Sequence, residues 1–376
     1  MATLGETTVA IAGGGTGGHL IPGLAVAAEL RARGIGRIVF IGTPRGVETR
    51  LVPAAGFDLH LINVSGLKNV GWRAAARAVM ELPAAILASR RILRDAGAGV
   101  VLGIGGYASG PALAAAAQLK IPIVVMEVNA HTGLANRLAA RWVRRAAVNF
   151  PATARDFPHA VVTGVPVRDA FFHLDPPLAQ DPPVILAFGG SQGARAINEA
   201  LLAAARTWNA KGWRATLIHQ TGTREYNRVL DAYRQAGLSA TSELRVEVHP
   251  FIEDMAAAMA RAELVISRSG ASTLAELAAA GRPAILIPFP GAADQHQLRN
   301  ARAYEQAGAA IVIEQAQLAG ERLAAEVESL MAAPARRAAL AAAARSFARP
   351  HAAAAIADLV LDAAGVAPQA VEGARR

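Results

Sequence analysis

The chain of 376 residues contains no cysteine, which excludes disulfide bonds and thiolate metal ligands. Aromatic residues make up only 5% of it, and they are not interleaved with basic residues in the way that stacks nucleic-acid bases. The formal net charge of +9 nevertheless favours acidic partners. We therefore expect phosphorylated small molecules or anionic lipid surfaces as partners, and no nucleic acid.

Long hydrophobic spans are also missing. The uncharged stretch 96–119 is interrupted by several glycines and by Pro111, a pattern that indicates a strand, a glycine turn and a helix. The first residues, MATLGETTVAIAGGG, lack the basic start and long apolar core of a signal peptide. We expect a cytoplasmic protein without a transmembrane segment.

Apolar segments rich in Val and Ile alternate with alanine-rich helical segments, which predicts an α/β architecture with parallel sheets. The alternation stops at the proline-rich segment 175–183 and then begins again, and the chain is longer than most single cores. The sequence therefore predicts two Rossmann-like, doubly wound domains, residues 1–167 and 168–349, with a C-terminal helix in 350–376 packing back on the first. Ligands of such sheets bind beyond the carboxyl ends of the strands, so we expect the domains to face each other across a cleft. The predicted strands are 8–12, 37–41, 59–64, 100–104, 121–126 and 146–148, then 184–188, 215–220, 244–249, 264–267, 284–287 and 310–313.

The segment 9–22, VAIAGGGTGGHLIP, joins a predicted strand to a helix through glycines. Exposed backbone N–H groups and the helix dipole favour an anion at such a turn. His19 lies at its end, where a neutral imidazole can take a proton near pH 7; a histidine that only caps the helix is the alternative. The glycines also match the dinucleotide fingerprint, but the next strand ends in Gly42-Thr43-Pro44, without the acid that an NAD enzyme uses.

The second half opens in the same way, with FGGSQGA at 188–194. This segment also satisfies the G-x-S-x-G pattern of serine hydrolases, with Ser191 as nucleophile. An aspartate and a histidine follow in the required order, and the candidates are Asp254 or Asp294 and His296 or His351. A phosphate-binding turn explains both halves of the chain, whereas a hydrolase explains one. The hydrolase and a catalytically silent nucleotide-binding membrane module remain as alternatives.

Two later motifs carry polar side chains suited to a nucleotide sugar. In RSGASTLAE, 268–276, small residues open a helix, and Glu276 can accept hydrogen bonds from a ribose diol; a solvated helical acid is the alternative. Gln297, in DQHQ, can contact sugar hydroxyls. There is no D-x-D motif, and Glu326 and Glu328 fall in a late helical stretch, so the sequence predicts no metal site and no cofactor.

The stretch 70–94 combines apolar and basic residues at helical spacing. Such a surface can rest on anionic lipid headgroups, although ordinary helix core with a solvated basic side produces the same pattern. The candidate membrane residues are Trp72, Arg73, Arg77, Val79, Leu82, Arg90 and Arg91.

In their order and spacing, these motifs resemble the MurG family, bacterial transferases that add N-acetylglucosamine (GlcNAc) from UDP-GlcNAc to lipid I and so form lipid II for peptidoglycan. The resemblance covers nearly the whole chain. The matching segments are 13–19, 105–111, 127–129, 166–168, 189–194, 251–255, 268–276 and 294–297.

The resemblance implies a GT-B fold, with the acceptor on the first domain and the nucleotide sugar mostly on the second. It places Ile252 by the uracil, Glu276 on the ribose and Ser191 on the diphosphate, with Asn129 and Gln297 facing the sugar. The positions that match donor contacts of the family are Thr16, Gly17, Gly18, Asn129, Arg168, Ser191, Ile252, Ala271, Ser272, Thr273, Leu274, Ala275, Glu276 and Gln297. Val128 departs from the family, which has Gln between the Glu and the Asn.

The implied reaction is an inverting attack by the 4-hydroxyl of the N-acetylmuramoyl (MurNAc) unit of undecaprenyl-linked lipid I, with His19 as the candidate base. Backbone N–H groups then stabilise the charge that builds on the leaving UDP. A polyprenyl acceptor also favours membrane docking through the 72–91 face, so we expect peripheral association with anionic lipids at the cytoplasmic face of the inner membrane.

Overall fold

A computed structural model describes residues 3–65, 72–176 and 180–366, and the side chains of 72–79 lie outside that description. The chain forms two compact units. The first contains residues 1–166 and 351–376, and the second contains residues 167–350.

The first unit is built on a seven-stranded parallel sheet with the order β3-β2-β1-β4-β5-β6-β7. Its central strands are buried on both faces because helices cover them, and they accordingly lack polar alternation. The strands are β1 (Thr8–Gly13), β2 (Arg37–Gly42), β3 (Asp58–Leu61), β4 (Ala98–Gly105), β5 (Ile123–Glu127), β6 (Val143–Val148) and β7 (Ala160–Val162). The helices before the crossover are α1 (Gly17–Ala32), α2 (Glu48–Ala54), α3 (Trp72–Asp95), α4 (Ser109–Leu119), α5 (Leu134–Ala139) and α6 (Pro151–Ala154).

The second unit has a six-stranded parallel sheet with the order β10-β9-β8-β11-β12-β13. Its core combines strand residues such as Ile185 and Leu217 with Leu201 and Trp208 of α7, all of them fully buried. The strands are β8 (Val184–Phe188), β9 (Ala215–Gln220), β10 (Leu244–His249), β11 (Leu264–Ser267), β12 (Ala284–Leu286) and β13 (Ile311–Val312). The helices are α7 (Arg195–Ala210), α8 (Tyr226–Gln235), α9 (Met255–Arg261), α10 (Ala271–Ala280), α11 (His296–Gln306), α12 (Gly320–Met331) and α13 (Pro334–Arg345).

The last helix, α14 (Ala352–Ala364), belongs to the first unit. It packs on α1 and on strands β4, β5 and β6. Arg33, the residue directly after α1, forms an ion pair with Asp358, and Arg145 of β6 lies 2.7 Å from Asp362. Residues 367–376 of the predicted C-terminal segment lie outside the described residues.

The prediction of two α/β domains with parallel sheets is confirmed. The short edge strand β7 was not predicted, and helix α1 begins at Gly17 rather than at Leu20. In the ranges that the structure describes, no helix has the length and apolarity needed to cross a membrane.

Candidate functional site

In the second unit, the sequence motifs follow adjacent parallel strands. The 189–193 loop comes after β8, Ile252 follows β10, and α10 follows β11. Because β10, β9, β8 and β11 are neighbours in that order, their carboxyl ends form one edge of the sheet. This edge is where ligands of open α/β sheets bind.

Gln220, the last residue of β9, joins two of these segments. Its Nε2 donates to the carbonyl of Gly190 at 2.9 Å, and its Oε1 accepts from the N–H of Ile252 at 2.8 Å. The side chain is 1% exposed, whereas its partners Gly190 and Ile252 are half-buried. Gln220 therefore fixes the glycine loop relative to Ile252. Sequence reasoning missed it, although its position at a strand end was the available signal.

A series of buried, hydrogen-bonded side chains leads to the same 189–193 loop. Tyr233 and His219 are 3.0 Å apart at Oη and Nδ1, and His219 Nε2 lies 3.0 Å from Asn198 Oδ1. Asn198 Nδ2 donates to the carbonyl of Thr221 at 3.0 Å, so its Oδ1 must accept from His219 Nε2–H. Burial lowers the pKa of His219 to about 3, which keeps the ring neutral. Thr221 in turn lies against Gly193, where a Cβ would overlap its carbonyl.

Glu276 lies in α10 with its side chain only 24% exposed, and Arg168 Nη2 is 3.9 Å from its Oε1. Burial raises the pKa of Glu276 to about 7, while the positive charge of Arg168 acts in the opposite direction. Glu276 is thus a carboxyl group with reduced hydration rather than the solvated helical acid considered above. The guanidinium of Arg168 also lies 5.0 Å from the ring centroid of Phe171.

The first turns of α10 contain the predicted donor-binding run. Ala271 and Leu274 are buried in the core, so only their backbones can meet a ligand, whereas Ser272, Thr273 and Ala275 are half-buried. Leu274 N–H donates to the carbonyl of Gly270, so the hydrogen bonding of the helix begins there. The positive end of the dipole of α10 therefore lies at the sheet edge.

The DQHQ segment is tied to the loop before α10. Ser269 Oγ donates to the carbonyl of Gln297 at 2.8 Å, and Gln297 Oε1 accepts from the N–H of Phe289 at 3.0 Å. These contacts engage the carbonyl and the side-chain oxygen of Gln297 but not its amide NH₂. Asp294 and Gln295 both adopt a φ of 52°, a left-handed conformation that is uncommon outside glycine and frequent at functional sites.

Ser191 is exposed, and the structure records no hydrogen bond from it to a histidine within the described residues. Asp254 instead caps α9 by accepting from Ala257 N–H at 2.9 Å. His296 Nδ1 contacts the carbonyl of Ala293 at 2.7 Å. Asp254 and His296 are thus engaged with backbone groups, and neither contact involves Ser191.

In the first unit, the 13–19 loop follows β1, and an internal carboxylate already contacts it. Glu48, 1% exposed, accepts hydrogen bonds from Gly15 N–H at 2.8 Å and from Thr43 N–H at 2.9 Å. The Thr43 hydroxyl donates as well, at 2.8 Å. Burial alone would raise the pKa of Glu48, but these hydrogen bonds outweigh it and lower the pKa. The N–H of Gly15 is thus not open to a phosphate.

His19 is half-buried in the first full turn of α1. A Cβ built on Gly105 would lie 3.0 Å from its Nδ1, so the imidazole packs directly against the backbone of that glycine. Gly14 N–H also donates to the carbonyl of Gly105 at 3.2 Å. The predicted residues Thr16, Gly17 and Gly18 lie beside His19, at the N-terminus of α1.

Asn129 follows β5 and is held by Glu127. Its backbone N–H and its Nδ2 lie 3.1 and 3.3 Å from Glu127 Oε1. Burial raises the pKa of Glu127, opposed by hydrogen bonds from Gly133, Asn129 and Asn136. Val128, where the resemblance led us to expect Gln, is 2% exposed and belongs to the core.

Helix α3 presents apolar side chains to solvent, with Met80 73% and Leu87 51% exposed. Arg91 is exposed and Arg90 half-buried, and the side chains of Trp72, Arg73, Arg77 and Val79 lie outside the described residues. An open groove of ≈ 500 Å³ is lined by Leu82, Pro83, Ile86, Leu87, Arg90 and Gln118.

Comparison with known proteins places these features in a family. Residues 9–148 match the glycosyltransferase family 28 N-terminal domain, and residues 184–357 match its C-terminal domain. The chain is 46% identical to a protein of Solibacter usitatus over 94% of this chain and 95% of that protein. It is 44% identical to one of Anaeromyxobacter dehalogenans over 94% of this chain and 92% of that protein. Both are named UDP-N-acetylglucosamine--N-acetylmuramyl-(pentapeptide) pyrophosphoryl-undecaprenol N-acetylglucosamine transferase.

A solved structure, MurG of Acinetobacter baumannii, is similar with a TM-score of 0.80 and 31% identity, covering 95% of this chain and 99% of that one. The GT-B prediction is thereby confirmed at the level of the fold. With identities of this size over nearly its whole length, the chain belongs to the MurG family of glycosyltransferases.

Proposed function

We propose that this protein transfers N-acetylglucosamine from UDP-GlcNAc to the 4-hydroxyl of the MurNAc unit of lipid I, with inversion, giving lipid II. The observation that carries the proposal is the sheet edge of the second unit. There Gln220 ties the 189–193 loop to Ile252, and α10 presents its N-terminus and Glu276. The names of the relatives supply the substrate class.

The donor contacts are assigned from these positions. Ile252 lies by the uracil, Glu276 accepts from the ribose hydroxyls, and the 189–193 loop with Ser191 holds the diphosphate. Arg168 and the N-terminus of α10 (Ala271, Ser272, Thr273, Leu274, Ala275) add positive potential to the diphosphate side. The sugar end is assigned to Gln297 and, in the first unit, to Asn129; Thr16, Gly17 and Gly18 are assigned as further donor contacts.

In the transfer, the acceptor oxygen forms a bond to the anomeric carbon while the bond from that carbon to the phosphate oxygen breaks. The electron pair leaves with UDP, and N–H groups of the 189–193 loop and of α10 stabilise its charge. We assign the acceptor proton to His19 as general base, because it follows the glycine loop of the unit assigned to the acceptor.

The test is UDP release by the purified protein from UDP-GlcNAc with and without a lipid I analogue. We expect release only with the acceptor, and a loss of kcat of about 10²- to 10⁴-fold in His19→Ala, the usual contribution of a general base. Release without the acceptor, or labelling of Ser191 by a fluorophosphonate, would instead favour hydrolysis. Donor binding with no release under any condition would favour the silent binding module.

We further propose peripheral docking of α3 on the anionic cytoplasmic face of the inner membrane. The exposed Met80 and Leu87 and the neighbouring Arg90 and Arg91 support it. Reversal of one charge, in Arg91→Glu, removes about 2 kcal/mol of attraction, or about 30-fold in binding to anionic vesicles at low salt. Arg155→Glu, exposed after α6, is the charge-matched control and is expected to bind as the wild type does. Equal binding of the two variants would refute docking through α3.

A further inference from the structure

The buried carboxylate of Glu48 has no part in the reaction as assigned above. Among glutamates, full burial is uncommon unless the group is paired, and Glu48 is 1% exposed. Its partners are not cations. They are the backbone N–H groups of Gly15, Thr43 and Glu48 itself, and the hydroxyl of Thr43. A bound phosphate at a glycine loop accepts hydrogen bonds from backbone N–H groups, and the carboxylate of Glu48 does the same as part of the chain itself.

The surroundings of Glu48 are shaped to admit this carboxylate. A Cβ on Gly14 would lie 2.8 Å from its carboxyl carbon, and one on Gly42 would lie 2.6 Å from its Cγ. A Cβ on Gly46 would overlap the carboxylate outright. Glycine at these three positions therefore leaves the space that Glu48 fills.

The contact with Gly15 determines the backbone that leads to His19. Gly13, Gly14 and Gly15 have φ values of 144°, 138° and 83°, which glycine adopts readily. Because glycine adopts negative φ values equally readily, other contacts must hold the loop in this conformation. Glu48 Oε2 holds Gly15 from one side, and Gly105 O accepts from Gly14 N–H on the other. Four residues later, His19 rests on Gly105.

We propose that Glu48 is a positioning residue, a built-in anion that holds the 13–19 loop and thereby sets the place of His19. The phosphates of a substrate are then excluded from the N–H of Gly15. This inference rests on the proposed function for its catalytic readout but not for its structural one. The two readouts are therefore measured separately.

The test compares Glu48→Gln with Glu263→Gln. The first substitution keeps the shape of the side chain but exchanges one acceptor oxygen for an NH₂ that faces donors. Glu263 is the control for a buried glutamate, at 4% exposure; it accepts from the backbone N–H of Gln180 at 3.0 Å and, unlike Glu48, also pairs with Arg337 at 3.1 Å. It lies in the second unit and has no assigned role in the site.

In Glu48→Gln we expect amide exchange in peptides covering 13–19 to accelerate by about 10- to 100-fold, since a charge-assisted hydrogen bond is lost. We expect kcat to fall by a similar factor, because a small displacement of a catalytic group is enough for such a loss. The affinity for UDP, assigned to the second unit, stays within twofold. Glu263→Gln changes none of these values by more than twofold, although it can lower the melting temperature.

The proposal is overturned if amide exchange in 13–19 is no faster in Glu48→Gln than in Glu263→Gln. It is also overturned if exchange is faster in Glu48→Gln but kcat is unchanged. If Glu48→Gln does not fold, Thr43→Val removes the hydroxyl hydrogen bond alone and is expected to shift exchange and kcat in the same direction by a smaller factor. If the wild-type protein transfers no sugar, the proposed function is refuted and kcat cannot be compared. In that case faster loop exchange in Glu48→Gln supports the role of Glu48 in holding the 13–19 loop, and unchanged exchange overturns it.

Discussion

We expect the ionisation of Glu276 to make the affinity for the donor depend on pH. Its pKa is raised to about 7 by burial, and a carboxylate accepts hydrogen bonds from ribose hydroxyls better than a protonated carboxyl group. With that pKa, about one-tenth of the unliganded protein has Glu276 ionised at pH 6, and about nine-tenths at pH 8. If only the ionised form binds, the Kd for UDP-GlcNAc falls about tenfold from pH 6 to pH 8, or about 1.4 kcal/mol.

Isothermal titration calorimetry measures this change directly. At pH 6, binding is expected to release close to one proton for each donor bound, visible as a dependence of the heat on the buffer, and at pH 8 almost none. The diphosphate of a nucleotide sugar is esterified at both ends and does not titrate in this window. The change in affinity is therefore assigned to the protein.

Glu276→Gln is the decisive variant. Its Kd is expected to be independent of pH from 6 to 8 and, at pH 8, weaker than that of the wild type by about 10- to 100-fold, the contribution of hydrogen bonds to a charged acceptor. A wild-type Kd that does not change with pH would refute the reasoning, and so would a Glu276→Gln protein that keeps the wild-type slope.

Three further predictions concern the described contacts. Gln220→Leu leaves the carbonyl of Gly190 and the N–H of Ile252 without their shared partner, so the Kd for UDP is expected to rise at least tenfold in calorimetry; an unchanged Kd would contradict the bridging role. Tyr233→Phe removes the donor to His219, so urea denaturation is expected to show a free energy of unfolding lower by about 1–3 kcal/mol, and a loss below 0.5 kcal/mol would count against this network. Because the pKa of Glu48 is lowered by folding, its carboxylate stabilises the fold above the ordinary pKa of 4.5, and this stabilisation is lost as the pH falls through the lowered pKa of the folded state. The melting temperatures of wild type and Glu48→Gln should therefore converge in acid. A difference that stays constant with pH would contradict this prediction.

The strands were predictable because a strand buried on both faces consists of consecutive apolar residues, here Val, Ile, Leu and Ala, and such runs are visible in the sequence. Segments such as 184–188 and 264–267 have the predicted bounds. β7 was missed since it is three residues long and lies at the sheet edge, where Val161 is 43% exposed and no apolar run is needed. The start of α1 was placed late because Gly17 and Gly18 have low helix propensity, which the fold overrides.

The motifs could indicate which residues approach a ligand but not what holds them. Glu48 lies 33 positions from Gly15, whose N–H donates a hydrogen bond to it, and nothing in the intervening sequence links the two residues. Gln220 likewise bonds to residues of two other loops. The pKa of Glu276 depends on burial that an isolated helical glutamate does not reveal. Contacts of this kind arise from the tertiary fold, so pattern and spacing cannot supply them.

The position of α14 has a consequence for the order in which the chain is made. The first unit is completed by α14, which is synthesised after the whole of the second unit, whereas the second unit is one continuous segment. During synthesis, the surface of α1, β4, β5 and β6 on which α14 packs stays uncovered until α14 has been made, so the second unit can finish folding before the first. A nascent chain that stops shortly before residue 352 would expose this surface permanently and become a target for chaperones and proteases.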